Sequence, residues 1–135
     1  MKKRHAFTLI ELIIVVIVIG ILATLAVPQF LKATERAKIA KAKNALGLLA
    51  KAEKLYRAEK DTYVVTAVNG ANTVLGSYME LQDVDADQDW SYAVGGVSAS
   101  GFTATATRLG SGSIVGCTIT LNQTSTMVDG CTTKL

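Results

Sequence analysis

The stretch FTLIELIIVVIVIGILATLAV, residues 7 to 27, decides the fold of this chain. It is almost wholly apolar, and Glu11 is its single ionisable residue. About 20 apolar residues in a helix are enough to cross the roughly 30 Å hydrocarbon core of a bilayer. The stretch therefore predicts a membrane helix, in which the Glu11 carboxylate is costly unless it has a partner.

Three basic residues, Lys2, Lys3 and Arg4, stand directly before the apolar stretch. An excess of positive charge in a short flanking segment keeps that segment in the cytoplasm. We therefore expect a single-pass protein with a cytoplasmic amino terminus, whose remaining residues are moved across the membrane.

The order of these features resembles a known signal. A basic leader, the small residue Ala6, the sequence FTLIE and a long apolar run together resemble the class III signal of type IV prepilins and of the pseudopilins of type II secretion. The resemblance covers residues 1 to about 30. It implies that a prepilin peptidase cuts between Ala6 and Phe7 and that the new α-amine of Phe7 is methylated. This chain departs from the family in having Ala6 where Gly is usual.

The resemblance also implies a partner for Glu11. In the family, this glutamate is thought to pair with the amino-terminal amine of a neighbouring subunit as the filament grows. An unpaired charge in apolar surroundings is costly, so such a pair would favour one register between subunits and penalise the others. The alternative is that Glu11 lies near the interface, or is protonated, and needs no partner.

The length and the charge pattern set bounds on the rest of the chain. At 135 residues there is room for one membrane helix and one modest globular domain. Residues 32–60 hold nine basic and three acidic side chains, whereas residues 61–135 hold two basic and seven acidic ones. Such oppositely charged regions would attract one another between staggered subunits of an assembly, less strongly as salt rises.

Cys117 and Cys131 lie in the part that is expected to be exported, where disulfides persist. Their even number and the 13 residues between them suit one bridge. Two free buried thiols are the alternative. In the resembling family a disulfide commonly closes a carboxy-terminal loop of the globular head, which agrees with this position.

Gly20 and Pro28 are the strong helix breakers before the exported domain. Pro28 removes the hydrogen bond to the carbonyl of Thr24, and Gly20 is a weak helix former. A kink is one expected outcome. Local melting between the two residues is the other, because the family's helix is reported to loosen in this interval inside assembled filaments.

Residues 31–61 predict an amphipathic helix that continues from the membrane helix at residues 7–30 into the exported domain. Apolar residues at helical spacing indicate a face that must be covered, so the first half of the helix should protrude and the second half should pack. The members of this face are Ile39, Ala42, Leu46, Leu49 and Tyr56.

Residues 62–90 are interpreted as a connecting loop that ends in alternating aspartates. These are Asp83, Asp85, Asp87 and Asp89. The pattern is not an EF-hand, because Gln88 stands where that loop needs Gly and Val94 where it needs Glu. A solvated loop explains the aspartates, and a calcium site of another kind is the alternative.

Residues 91–135 predict an antiparallel sheet with a disulfide loop. Runs rich in β-branched and aromatic residues are separated by Gly and Ser turns, and they cover Ser91–Val97, Phe102–Leu109, Ile114–Leu121 and Ser125–Thr132. We therefore predict an α+β fold, in which a long amino-terminal helix packs its second half against a sheet of about four strands.

The sequence shows no arrangement typical of an enzyme. There is no pairing of nucleophile and base and no phosphate-binding glycine loop, and the one histidine, His5, lies in the predicted leader. We expect a structural protein that uses no cofactor. The resemblance implies a major pilin, held in the inner membrane by its helix and then polymerised into an extracellular type IV pilus for adhesion, motility or DNA uptake.

The partners implied by this reading are further copies of the chain, the prepilin peptidase, the pilus assembly machinery of the inner membrane, and lipid before assembly. Nucleic acid is a further candidate partner, because the helix is rich in lysine. A solvated helix face explains the same residues. A pseudopilin or minor pilin is the nearest alternative function. A permanent single-span periplasmic protein is the next, and a cleaved secretory signal is disfavoured by Glu11 and by the helix continuing beyond the apolar run.

Overall fold

A computed structural model describes residues 7–68, 73–81, 84, 86–112 and 114–134. The chain divides into two units, one ending at Thr34 and the other beginning at Glu35. In chain order, the elements are α1 (Leu9–Lys60), β1 (Thr66–Val68), α2 (Thr73–Gly76), β2 (Trp90–Ser98), β3 (Gly101–Arg108), β4 (Thr118–Asn122), β5 (Met127–Asp129) and a final 3-10 turn (Thr132–Lys134).

The first unit contains the apolar part of α1. Its large apolar side chains from Leu9 to Leu31 are 47–75% exposed, and none of its described residues is buried. Helix α1 is long and apolar enough over this part to cross a membrane. A helix that is apolar around its whole circumference needs lipid or other protein to cover it.

The second unit packs the remainder of α1 against the sheet. The predicted apolar face is confirmed, because four of its members are buried and Tyr56 is half-buried. They share one core with residues of β2, β3 and β4. The largest fully buried side chains of this core are Trp90, Tyr92, Phe102, Leu46, Leu49, Leu75, Ile114 and Ile119.

The sheet is antiparallel, and each strand pairs with the next one along the chain. Successive side chains of a strand point to opposite faces. On β3, Phe102 and Ala104 are accordingly buried, whereas Thr103 is exposed. The predicted α+β fold, with the long helix covering one face of an antiparallel sheet, is confirmed.

The sheet contains a short strand in addition to the predicted runs. Strand β1 comes from the segment that was interpreted as a connecting loop, and it pairs with β2 through Thr66 and Val94. A strand is recognised in a sequence by the alternation of apolar and polar residues, and three residues are too few to show it. The sequence pattern therefore does not identify β1. The dipeptide Asn69-Gly70, which favours a turn between strands, lies outside the described residues.

The predicted run Ile114–Leu121 becomes a strand only from Thr118 onwards. The preceding residues turn instead, since the Cys117 amide donates to the Ile114 carbonyl at 3.1 Å. Gly116 has a φ of 71°, in the left-handed region that glycine adopts at little cost. The β-branched residue at the start of the run fills the core without belonging to the sheet.

Within one copy of the chain, three lysines of α1 form ion pairs with aspartates outside the helix. These pairs are Lys38–Asp89 at 3.0 Å, Lys41–Asp87 at 3.3 Å and Lys43–Asp129 at 2.7 Å. The basic helix and the acidic remainder of the chain therefore attract one another within one copy. These six side chains already have partners within one copy, so fewer charges remain for the attraction between copies that the sequence pattern predicts.

Candidate functional site

Three reciprocal hydrogen bonds between Thr8 and Glu11 cap the start of α1. The Glu11 carboxylate accepts the Thr8 amide at 2.9 Å and the Thr8 hydroxyl at 2.7 Å. In return, the Glu11 amide donates to the Thr8 hydroxyl oxygen at 3.3 Å. This is a capping box, which satisfies amide groups that the first turn of a helix leaves without partners.

The capping box gives Glu11 a function within its own chain. A carboxylate near a helix amino terminus is also favoured by the helix dipole. The sequence carried the signal for this arrangement, since Thr-x-x-Glu directly before an apolar run is the typical pattern. Pairing of Glu11 with a neighbouring subunit stays a prediction, and it would have to compete with Thr8 or share the carboxylate with it.

Phe7 is the first described residue, and it is 84% exposed. Ala6 lies outside the described residues, so cleavage between the two stays a prediction from the sequence motif.

Helix α1 runs through both Gly20 and Pro28 without interruption. The Thr24 hydroxyl donates to the Ile21 carbonyl at 2.7 Å, while Pro28 has no amide to donate to the Thr24 carbonyl. An added Cβ at Gly20 would meet no atom within 4 Å. The helical state of this interval is thus compatible with both residues, and its melting on assembly stays a prediction.

The carboxy-terminal loop is closed by the disulfide between Cys117 and Cys131, whose Cα atoms lie 5.3 Å apart. This confirms the predicted bridge. Asp129 fixes the loop locally, because its carboxylate accepts the amides of Cys131 at 2.8 Å and Thr132 at 3.0 Å. The Thr132 hydroxyl donates to the same carboxylate. Asp129 had no place among the predicted site residues.

Asp87 and Asp89, the two described members of the aspartate series, are bound by groups of the protein. Asp87 accepts the Tyr92 hydroxyl at 2.7 Å in addition to its ion pair with Lys41. The Lys38 ammonium beside Asp89 holds the pKa of that carboxyl below its usual range. Asp83 and Asp85 lie outside the described residues, and within the described part no three acidic, His or Cys side chains come together as metal ligands.

Arg108, at the end of β3, is a second charged group that the sequence analysis did not single out. It is 3% exposed, and its Nη1 donates to the Leu109 carbonyl at 2.6 Å and to the Asp89 carbonyl at 2.8 Å. The guanidinium also lies 3.1 Å from the Asp89 carboxylate and 3.6 Å from that of Glu35. It therefore connects the sheet to α1 at the beginning of the second unit.

The apolar, capped start of α1 is the feature of this chain that comparison with known proteins also identifies. Residues 1–27 match the family model described as the prokaryotic N-terminal methylation motif. This segment therefore carries the methylation motif, and its resemblance to prepilins and pseudopilins is confirmed.

Curated relatives are similar over longer stretches of the chain than this motif. The chain is 49% identical over 61 residues to the type IV major pilin protein PilA of Myxococcus xanthus, which covers 45% of this chain and 28% of that protein. It is 37% identical over 65 residues to the type II secretion system core protein G of Pseudomonas aeruginosa, covering 48% and 46%. A fimbrial protein of Pseudomonas aeruginosa is 52% identical over 42 residues, covering 31% and 27%. The matched part spans less than half the length of each relative.

Proposed function

We propose that this protein is a structural subunit of a bacterial type IV pilus, and specifically a major pilin. The observation that carries the proposal is the apolar first part of α1, which is exposed on all sides and lies largely within the N-terminal methylation motif. Lipid can cover this surface before assembly, and the same helices of sister subunits can cover it afterwards. The role is architectural and involves no catalysis by this chain.

In this proposal the prepilin peptidase cuts between Ala6 and Phe7 and the Phe7 amine is methylated. The subunit waits in the inner membrane as a single-pass protein, and the assembly machinery then draws it into an extracellular filament. The Glu11 carboxylate aligns the incoming helix by pairing with the amine of a neighbour. The similarity to the pilin of Myxococcus xanthus over 61 residues supports this assignment.

Processing is tested by mass spectrometry of the exported protein after digestion with trypsin. No Lys or Arg lies between Phe7 and Lys32, so the mature chain should yield one peptide from Phe7 to Lys32 that carries one added methyl group. An Ala6→Gly variant, with the usual family residue, is the matched control for cleavage. A mature chain that begins at another residue, or that keeps its leader, would overturn the proposal.

Filament formation is tested by electron microscopy of material sheared from the cell surface. A major pilin should be the dominant protein of filaments seen there, and deletion of its gene should remove them. A chain that is processed and methylated but absent from surface filaments would contradict the major-pilin assignment.

A pseudopilin of a type II secretion system is the second candidate, because the chain is also similar to a core protein G. Its deletion should stop secretion of folded exoproteins and leave surface filaments in place. A permanent membrane anchor is the third candidate, and it predicts an unprocessed amino terminus.

A further inference from the structure

Of the four buried side-chain polar atoms that lack hydrogen-bond partners among the described residues, three belong to Arg108 and to two side chains beside it. They are Glu35 Oε2, Arg108 Nε and Trp90 Nε1. Buried polar atoms are nearly always paired in folded proteins, so a group of exceptions requires an explanation. The Arg108 side chain is only 2% exposed, and its Cζ lies 5.9 Å from the centroid of the Trp90 ring.

The Glu35 and Arg108 groups are one short movement from a two-bond pair. Glu35 Oε1 and Arg108 Nη2 are 3.6 Å apart, beyond ordinary hydrogen-bond length. The second oxygen of the carboxylate and Nε of the guanidinium are the two atoms that lack partners. A carboxylate and a guanidinium typically pair side by side through two parallel hydrogen bonds. Closing the gap would satisfy both atoms at once.

This contact lies at the amino-terminal end of the second unit. Glu35 is the first residue of the second unit, and Lys38 pairs with Asp89, which itself contacts Arg108. No residue of α1 before Ile39 is buried in the described part of the chain. The four charges of Glu35, Lys38, Asp89 and Arg108 therefore hold α1 to the sheet where the helix first meets it.

We propose that the Glu35–Arg108 pair is open in the free subunit and closes when the subunit enters a filament. The inference rests on the proposed function. Sister helices that pack against the exposed helix would remove water next to Glu35, and an incomplete ion pair becomes more costly as its surroundings become drier. Closure is the local response that relieves this cost, and it fixes the part of α1 that begins at Glu35 to the sheet in the assembled state.

The chain offers two reporters for this contact. Trp90 is its one tryptophan, so intrinsic fluorescence reports on the ring beside the guanidinium. Besides Arg4 of the leader, the chain contains three arginines, Arg36, Arg57 and Arg108. Arg36 and Arg57 are exposed, and their Nε–H groups serve as internal controls for hydrogen exchange.

The experiment compares full-length processed subunits in detergent micelles with filaments of the same protein, both labelled with ¹⁵N at arginine. We expect exchange of the Arg108 Nε–H to be at least about tenfold slower in filaments than in micelles, while that of Arg57 changes less. Trp90 emission should change between the two states. A Glu35→Gln variant should still form filaments but lose most of the added protection, whereas a Lys43→Gln variant, which breaks a different helix-to-sheet ion pair, should keep it.

Equal protection of Arg108 in micelles and filaments would overturn the inference and leave the proposed function intact. Full protection of the Glu35→Gln filaments would also overturn it, because the carboxylate would then not be the partner. A failure of the unmodified protein to form filaments would overturn the proposed function and this inference together.

Discussion

Lys43 on α1 contacts Asp129 at the end of β5, with 2.7 Å between Nζ and the carboxylate. The same carboxylate accepts two backbone amides of the disulfide loop. One acidic side chain thus joins the carboxy-terminal loop to the helix. Burial of Asp129 raises its pKa, but the hydrogen bonds from Lys43, Thr132 and Cys131 outweigh this and hold the pKa well below its usual range.

An Asp129→Asn variant should lower the free energy of unfolding by about 2 kcal/mol at neutral pH, because hydrogen bonds to a charged group are lost. The wild-type contribution is present above the unfolded pKa of about 3.9 and disappears as the pH falls below it. Thermal unfolding in detergent, followed by Trp90 fluorescence, measures both effects. Asp61→Asn is the control, since Asp61 is exposed and has no ion pair among the described residues. Equal losses from the two variants would contradict the role of Asp129.

Glu53 should give the opposite dependence on pH. It is fully buried, its Oε2 accepts the Val64 amide at 3.1 Å, and burial raises its pKa despite that bond. A group whose pKa is raised by folding adds stability below its unfolded pKa, about 4.3, and that stability is lost as the pH rises through the folded value.

A Glu53→Gln variant should therefore gain stability relative to the wild type as the pH rises above about 4.3, the unfolded pKa of a glutamate. Parallel unfolding midpoints of the two proteins across this range would show that Glu53 does not titrate there. Glu59→Gln serves as the exposed control on the same helix.

The capping function and the charge of Glu11 can be separated by substitution. Glu11→Gln keeps a side chain that can close the capping box but removes the negative charge. Thr8→Val removes the cap and keeps the charge. If charge sets the register, the Gln variant should be inserted and processed normally yet yield few filaments, as should Glu11→Ala. Filament protein in sheared material, relative to processed subunit in the membrane, is the measurement. Normal yield from both Glu11 variants would refute the register role.

The disulfide should contribute about 3 kcal/mol to stability, since it closes a short loop in the unfolded chain. Replacing both Cys117 and Cys131 by Ser should lower the unfolding midpoint by a corresponding amount. Reduction of the wild type should bring it to the value of the double variant. A reduced wild-type protein as stable as the oxidised one would show that the hydrogen bonds of Asp129 hold the loop without the bridge.

The long elements and their packing could be predicted from sequence because they repeat a pattern. The apolar run predicted a continuous helix, and the apolar face that includes Leu46 and Leu49 predicted a layer packed against it. The alternation of Phe102 and Ala104 with threonines predicted a strand with one buried face, and this strand belongs to that layer. Strand β1 could not be predicted from its own residues. It is a strand because it pairs with Val94 and its neighbours in β2.

Polar contacts between distant parts of the chain were the least predictable feature. Nothing in the local sequence of Arg108 indicates that it lies against Asp89 and Glu35, because these residues meet only after the sheet has packed on the helix. Asp129 is a similar case, since its partner Lys43 is far away in sequence. The capping box at Glu11 is different, because a local pattern signals it.

The strand order of the sheet has a consequence for export. Every strand pairs with its neighbour in the chain, so no strand has to wait for a later segment to be inserted between it and its partner. Folds built from such local contacts form quickly. If the chain is exported as proposed, the second unit can fold strand by strand as it emerges. Cys131 follows β5 in the chain, so it emerges after all five strands and can then reach Cys117. The disulfide would then form last and stabilise a domain that has already folded.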